Sequence, residues 1–209
     1  MGVRIAMAIP FVYLASKSPR RRALLAQIGV THEVLSLAGG DALDAVDEMP
    51  HSGEPPADYV QRIARTKAAA GRRRLREQRL PDHPLLAADT TVAVDERILG
   101  KPDSAAAAEA MLEALSGRTH AVYTAVAVAA ADRIDMLLSR SLVTMRTLSS
   151  AEIGSYVASN EPMDKAGAYA VQGRAAIFIE RIEGSYSGVM GLPLFETANL
   201  LSRAGLVLL

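Results

Sequence analysis

The stretch Leu85-Leu86-Ala87-Ala88-Asp89-Thr90-Thr91-Val92-Ala93-Val94 is apolar except for one carboxylate and two hydroxyls. It reads as a strand that Asp-Thr-Thr interrupts, with Asp89 at the end of its first, buried part. An ionised carboxylate is expensive in apolar surroundings unless it is paired or holds a metal. A strand-end acid can be purely structural. Followed by two hydroxyls, it is also the usual way an α/β enzyme positions a metal ligand or general base.

Outward from this run, strands and helices alternate. Ile9 to Ala15 is a short apolar strand that ends in Ser-Lys-Ser-Pro, and Arg20 to Ile28 carries leucines at helical spacing and stops at Gly29. Ser18 suits the N-cap, and Pro19 suits the first helical position, where a missing N–H costs nothing. Leu35 to Pro56 is rich in Gly, Asp, Pro and Ser and predicts a long loop or lid. A helix is expected from Ala57 to about Gln78, and a second, capped by Asp103 or Ser104, through Leu115. Strands are expected over His120 to Ala131, Ile134 to Leu148 and Ala175 to Ile182. Helices are expected over Ser150 to Ser159, capped by Ser149 or Ser150, and from about Pro193 to Arg203. The alternation predicts an α/β fold, and no repeat or low-complexity linker divides the 209 residues, so a single domain over 1–209 is expected.

Composition narrows the class. Half of the residues are hydrophobic, enough for a proper core. Lys plus Arg and Asp plus Glu both total 23, so no global field draws the chain to nucleic acid or an anionic membrane, and any polyanion site must be local. Cysteine is absent, which removes thiolate chemistry and agrees with a reducing compartment. His32, His51, His83 and His120 show no metal-ligand spacing, which argues against zinc. Arg4 and the apolar Ile5 to Ala15 imitate a signal peptide, but Pro10 interrupts the stretch and cleavage near Ser16 would remove the first strand, so a cytoplasmic location is expected.

Three clusters could carry chemistry. Ser16-Lys17-Ser18-Pro19-Arg20-Arg21-Arg22 brings hydroxyls, a helix N-terminus and guanidinium groups to one spot, and such a spot binds anions. Three cations against the helix dipole are unfavourable without an anion to offset them, and the alternative is a solvated surface feature. Asp89 with Thr90 and Thr91 is the second cluster. The third is Asp164-Lys165-Ala166-Gly167-Ala168-Tyr169-Ala170-Val171-Gln172-Gly173, where small residues permit close backbone approach and Gln172 could read a base edge or orient water, while Asp164 and Lys165 could equally be a local ion pair. Lys67 and Lys101, each taken alone, read as solvated surface cations.

Together these segments resemble the Maf family of nucleotide pyrophosphatases, from about Val12 to Leu201. The resemblance rests on Leu14-Ala15-Ser16-Lys17-Ser18-Pro19-Arg20-Arg21, Ala88-Asp89-Thr90, Gly100-Lys101-Pro102, Leu115-Ser116-Gly117-Arg118-Thr119-His120, Asp164 to Tyr169 with Gln172-Gly173, and Gly191-Leu192-Pro193-Leu194, in the family's order. It implies an elongated mixed β-sheet flanked by helices, two lobes around a central cleft, and a homodimer. It also implies a nucleoside triphosphate substrate, cleaved to the monophosphate and pyrophosphate with Mg²⁺ or Mn²⁺. Asp89 resembles the family's general base. Ser16, Ser18, Arg20 and Arg21 resemble its phosphate grip, and Lys67, Lys101 and Lys165 its further cleft cations. Glu48 sits where the family has an acid near the metal, shared with Asp89, and a one-position displacement would put Asp47 there instead. Thr90, Gln172 and Arg20 resemble positions tied to substrate choice.

Ala168-Tyr169 with Gln172 resembles the branch acting on dTTP and UTP, whereas the 7-methyl-GTP branch tends to carry Ser-Phe and Glu. Two departures concern the lid: Ser36 to Ala45 looks longer than usual, and Ala170 replaces a common glycine. The rival readings are a non-catalytic nucleotide sensor in division control, against which Asp89 argues, and a single-stranded nucleic-acid binder using Arg20 to Arg22 and Arg72 to Arg79. Aromatics at 4% and zero net charge argue against the second, and Arg72 to Arg79 reads as a solvated helix face.

Overall fold

The computed structural model describes residues 11–35 and 47–208. The expectations for Arg4 to Pro10 and for the lengthened Ser36 to Ala45 segment lie outside the described residues. Within them, β1 (Val12–Leu14) leads to α1 (Pro19–Gln27) and β2 (His32–Val34). The long helix α2 (Pro56–Glu77) precedes the hairpin β3 (Leu85–Val94) and β4 (Arg97–Leu99). Then come α3 (Ala105–Leu115), β5 (Thr119–Ala130), β6 (Arg133–Met145) and α4 (Ser150–Val157). Three short 3-10 turns lead into β7 (Ile179–Glu183), and α5 (Tyr186–Met190) and α6 (Leu194–Arg203) follow.

The strands form one mixed sheet in the order β2-β1-β3-β5-β6-β7, with β4 also paired to β3. The β2, β1 and β3 strands run parallel, and every other pairing is antiparallel. Both faces of β3 are covered, which is why its sequence is a near-continuous apolar run rather than an alternating one. Leu85, Ala87 and Ala93 pack under α2 with Ile63, Ala64 and Ala68. Leu86 and Ala88 pack on the opposite face with residues of α1 and α6. Further along that same face, Val92 and Val94 pack with α3, α4 and Tyr169. The second face is therefore covered by two separate groups of helices, and the space between them is where a cleft can open.

Local chemistry fixes the helix ends. Ser18 caps α1, its hydroxyl accepting from Arg21 N–H, with Pro19 at the first position. Of the two caps open for α3, Ser104 takes the role. Ser149 heads a capping box with Glu152 at the start of α4.

Two expectations need correction. Asp-Thr-Thr does not interrupt β3: the ladder continues through Asp89↔Ala125, Thr90↔Thr124 and Thr91↔Tyr123, so Asp89 lies mid-strand because β5 pairs with β3 from Leu85 to Ala93. Ala175 to Ile182 is not one strand: Arg174–Phe178 is a 3-10 turn and β7 begins at Ile179. Its buried residues, Ala175 and Phe178, are three apart, while Ile177 is 73% exposed, a spacing that suits a 3-10 turn and not a strand. The short strands β2 and β4 and the one-turn α5 were not anticipated. The β3–β4 hairpin turns on Asp95 and Glu96, both at positive φ (49° and 61°), without the glycine that usually marks such a turn.

The His120 ring on β5 is 2% exposed. Its Nε2 lies 2.8 Å from the Tyr169 hydroxyl, and its Nδ1 finds no hydrogen-bond partner among the described residues. Burial pulls the imidazole down to about 4 from the ordinary 6.5. The unfolded chain therefore binds the proton more readily, and the stability that neutral His120 permits is present above pH 6.5 and is lost as pH falls toward 4. Acid unfolding over that window should contain a His120 contribution of up to about 1.4 kcal/mol per pH unit. Denaturant melts of His120→Gln should show that slope removed, and an unchanged slope would dismiss the assignment.

Candidate active site

Along one side β3 is paired by β5 throughout. On the other side β1 reaches only Leu85 and Leu86 and β4 only Val92 to Val94. The edge between them carries Asp89, Thr90 and Thr91, and a cleft of about 830 Å³ opens there. Its lining includes eleven of the candidate site residues: Ser16, Ser18, Arg20, Arg21, Glu48, Lys67, Asp89, Thr90, Lys101, Lys165 and Gln172 lie around it, with Asp47 absent.

Asp89 is 8% exposed and faces α2, where Lys67 Nζ lies 2.8 Å from its Oδ1. The same ammonium lies 2.6 Å from Glu48 Oε1. Burial pushes the Asp89 carboxyl above its ordinary value. The charges of Lys67 and Arg21 pull the other way, and Glu48 adds to the rise. A carboxyl so poised is a better proton acceptor than an exposed aspartate. Lys67 is no solvated surface cation: it lies on the buried stripe of α2 between Ile63, Ala64 and Gly71, with a side chain 14% exposed, and two carboxylates satisfy it.

Glu48, rather than Asp47, reaches the cleft because its segment is clamped to α2. Tyr59 O–H donates to the Glu48 carbonyl at 2.9 Å, and Arg62 donates to the carbonyls of Asp47 and Met49 while pairing with Glu54 at 2.7 Å. Burial pushes the Tyr59 hydroxyl up to about 12, with Asp89 and Glu48 adding to the rise, so it remains a donor. The Asp47 carboxylate turns back onto the Met49 N–H. Two carboxylates, Glu48 and Asp89, thus converge on one cation, Lys67 Nζ. Among the described residues no three acidic or histidine side chains gather as a metal cage. A donor set of two carboxylates suits a hard divalent ion that keeps most of its ligands from water and phosphate oxygens.

The strand-to-helix turn supplies the anion-facing wall. Ser16 Oγ accepts from Ser18 N–H and from Arg21 Nη1, both at 3.2 Å. Arg21 is held from three directions, with Nε donating to the Gly191 carbonyl at 2.8 Å and Nη2 to the Thr90 hydroxyl at 3.3 Å. Burial pulls its guanidinium below the ordinary value, opposed by the Asp89 charge. Arg21 thus ties α1, β3 and the turn after α5 together, and among the described residues each Nη keeps one further N–H. Thr124 O–H donates to the Gly188 carbonyl at 2.8 Å and lies 3.0 Å from the Thr90 hydroxyl, so Thr90 is fixed between Thr124 and Arg21. Arg20 is the less constrained guanidinium, 3.5 Å from Asp164 across the cleft.

Lys101 and Gln172 are exposed on the opposite wall. Lys165 pairs with the neighbouring Asp164, as the local reading allowed, and donates to the Glu161 carbonyl at 2.6 Å while still lining the cleft. Gly167, at φ 69°, lets this wall approach β3: a Cβ there would stand 2.9 Å from Val92. Ala170 keeps a negative φ and donates its N–H to Tyr156, so it takes the place of a glycine without strain. The Arg72 to Arg79 face lies away from the cleft, with Arg72 stitched to Asp82 and the Ala131 carbonyl. Sequence reasoning missed Tyr59, Arg62 and Glu54. Their one available signal was the i, i+3 placement of Tyr59 and Arg62 on one side of α2, eight and five residues before Lys67.

The fold and its charges define a class: an α/β protein whose sheet opens beside a buried carboxylate, with cations on both walls to receive a polyanion. The Maf-like protein family matches residues 11–204, and the chain belongs to that family. It is 58% identical over 196 residues to a dTTP/UTP pyrophosphatase of Aromatoleum aromaticum, covering 93% of this chain and 95% of that protein. It is 55% identical to the dTTP/UTP pyrophosphatase of Cupriavidus pinatubonensis, over 94% and 98% of the two chains. With that of Bordetella avium the identity is 56%, over 95% and 98%.

Lys67→Met should leave Asp89 buried beside Glu48 without its nearest cation, so the Asp89 carboxyl should titrate at higher pH than in the unaltered protein. Carbon-13 NMR of the carboxyl reads this directly, and an unmoved midpoint would mean that Lys67 does not set the charge of Asp89.

Proposed function

We propose that the protein hydrolyses dTTP and UTP to the nucleoside monophosphate and pyrophosphate, as one catalytic domain. The observation that carries this reading is the buried, Lys67-paired Asp89 on the floor of a cleft with cationic walls, in a chain more than half identical to dTTP/UTP pyrophosphatases over nearly its whole length. The same reading includes a cytoplasmic location and a homodimer. Among the described residues no helix is long and apolar enough to cross a membrane.

The triphosphate lies against Arg20, Lys101 and Lys165, with the spare Nη protons of Arg21 beside Ser16 and Ser18. These are charge-assisted contacts of the kind that hold phosphate best. Asp89 accepts a proton from a water whose oxygen attacks the α-phosphorus. The bond from that phosphorus to the bridging oxygen breaks, and pyrophosphate leaves with the electron pair, its charge met by the wall cations. Lys67 holds Asp89 in place and offsets its charge. Glu48 and Asp89 are the residues that would hold Mg²⁺ or Mn²⁺, which when bound neutralises phosphate charge and polarises the reacting bond. Thr90, fixed between Arg21 and Thr124, keeps β3 in register with the phosphate grip. Gln172 offers both a donor and an acceptor, matching the imide edge of uracil or thymine.

Asp89→Asn should cut turnover of dTTP by a factor of about 10² to 10⁴ while leaving nucleotide binding nearly intact. Rates within a few-fold of the unaltered enzyme would remove Asp89 as the base.

In a panel of triphosphates with pyrophosphate detection, dTTP and UTP should be the best substrates. Gln172→Glu should lower activity on both by about 1–3 kcal/mol in kcat/KM, because an ionised carboxylate only accepts and leaves a base acceptor unpaired. Preference of the unaltered enzyme for 7-methyl-GTP would overturn the substrate assignment.

A further inference from the structure

Gln172 sits at the third position of a turn closed by Gly173 N–H to the Ala170 carbonyl at 3.0 Å. A turn that presents a side chain to a cleft must itself be held, and both ends of this one are held by the same pair of residues. Ala170 N–H, at one end, lies 3.3 Å from the Tyr156 hydroxyl. Arg174 N–H, at the other, donates to the Glu161 carboxylate at 2.9 and 3.2 Å. Tyr156 and Glu161 are themselves joined, the hydroxyl donating to Oε1 at 2.9 Å. Tyr156 is 4% exposed on α4, so the pair is anchored in the core behind the loop. Neither residue lines the cleft. Gly173 is part of the same arrangement: a Cβ at that position would overlap the Glu161 carboxylate. The Glu161 carbonyl, in addition, receives the Lys165 ammonium.

We propose that Glu161 is the positioning residue of the base-facing loop, its carboxylate together with Tyr156 fixing the Ala170 to Gly173 turn so that Gln172 meets the pyrimidine. The inference rests on the reading of the cleft as a dTTP/UTP site. Glu161 acts on binding through Gln172 and takes no part in the chemistry at phosphorus.

The test is a double-mutant cycle on the full chain, with kcat and KM for dTTP and inhibition by pyrophosphate as readouts. Glu161→Ala should raise KM for dTTP about five- to tenfold, the loss expected for one misplaced hydrogen bond. It should hold kcat within about twofold and leave pyrophosphate inhibition unchanged. Added to Gln172→Ala it should have little further effect, because the two act as a unit. Glu161→Gln, which keeps acceptors for Arg174 N–H and Tyr156, should recover most of the affinity. Gly173→Ala, which pushes the carboxylate away from the other side, should reproduce the KM effect even if Glu161→Ala folds poorly. Losses that multiply in the Gln172→Ala background, or that fall on kcat and pyrophosphate inhibition, would overturn this inference alone. Failure of the unaltered protein to hydrolyse dTTP would sink the reading of the cleft and this inference with it.

Discussion

A carboxylate in the middle of a buried strand has to be compensated, and the arrangement around Asp89 follows from that requirement. An unpaired charge at such a depth would protonate or destabilise the fold. Lys67 provides the compensation, and it can do so only because α2 lies flat across the sheet with its apolar stripe against β3 and β5. The ion pair is thus a packing constraint as well as a chemical one: it fixes how far α2 can slide along the sheet. The stretch of β3 left open by β1 and β4 gives the carboxylate a route to solvent, and the cleft forms there.

The segments around the cleft are held by side-chain ties from neighbouring elements. Tyr59 and Arg62 clamp the segment bearing Glu48, Arg21 ties α1 to β3 and to the turn after α5, and Tyr156 with Glu161 braces the loop bearing Gln172. In each case a polar side chain satisfies backbone groups of an irregular segment, which would otherwise sit near the core unpaired. Irregular backbone carries Glu48 and Gln172 to the cleft, and a strand and a helix supply the buried carboxylate and its lysine.

Much of the site was legible because its residues violate local rules. Asp89 breaks an apolar run, Arg20 to Arg22 stand against a helix dipole, and small residues cluster around Asp164 and Lys165. Lys67 weighed as a lone cation reads as solvated surface, although the periodicity of α2 puts it on the stripe with Ile63 and Gly71, and the family resemblance placed it in the cleft. The clamps were missed because Tyr59, Arg62 and Glu161 are ordinary helix and turn residues whose partners lie in other segments. The strand expected over Ala175 to Ile182 failed for a related reason. An apolar run shows that a segment is buried but not with what period, and Ala175 and Phe178 lie on one side of a 3-10 turn.

The sequence by itself determined the alternation of strands and helices, the caps at Ser18 and Ser149, the local anion-attracting turn and the presence of one carboxylate in the most apolar strand. These are settled by short-range propensity, hydrogen bonding within a few residues and the cost of burying charge. The tertiary structure decided that Asp89 lies mid-strand, that Glu48 and not Asp47 meets its partner Lys67, that Arg21 is a tie between three elements, and that the turn bearing Gln172 is held from behind. Each of these depends on strand register or on a side chain bonding to backbone from a distant segment. Such pairings become fixed only when the sheet order brings Lys67, Thr90, Tyr156 and Gly191 beside their partners.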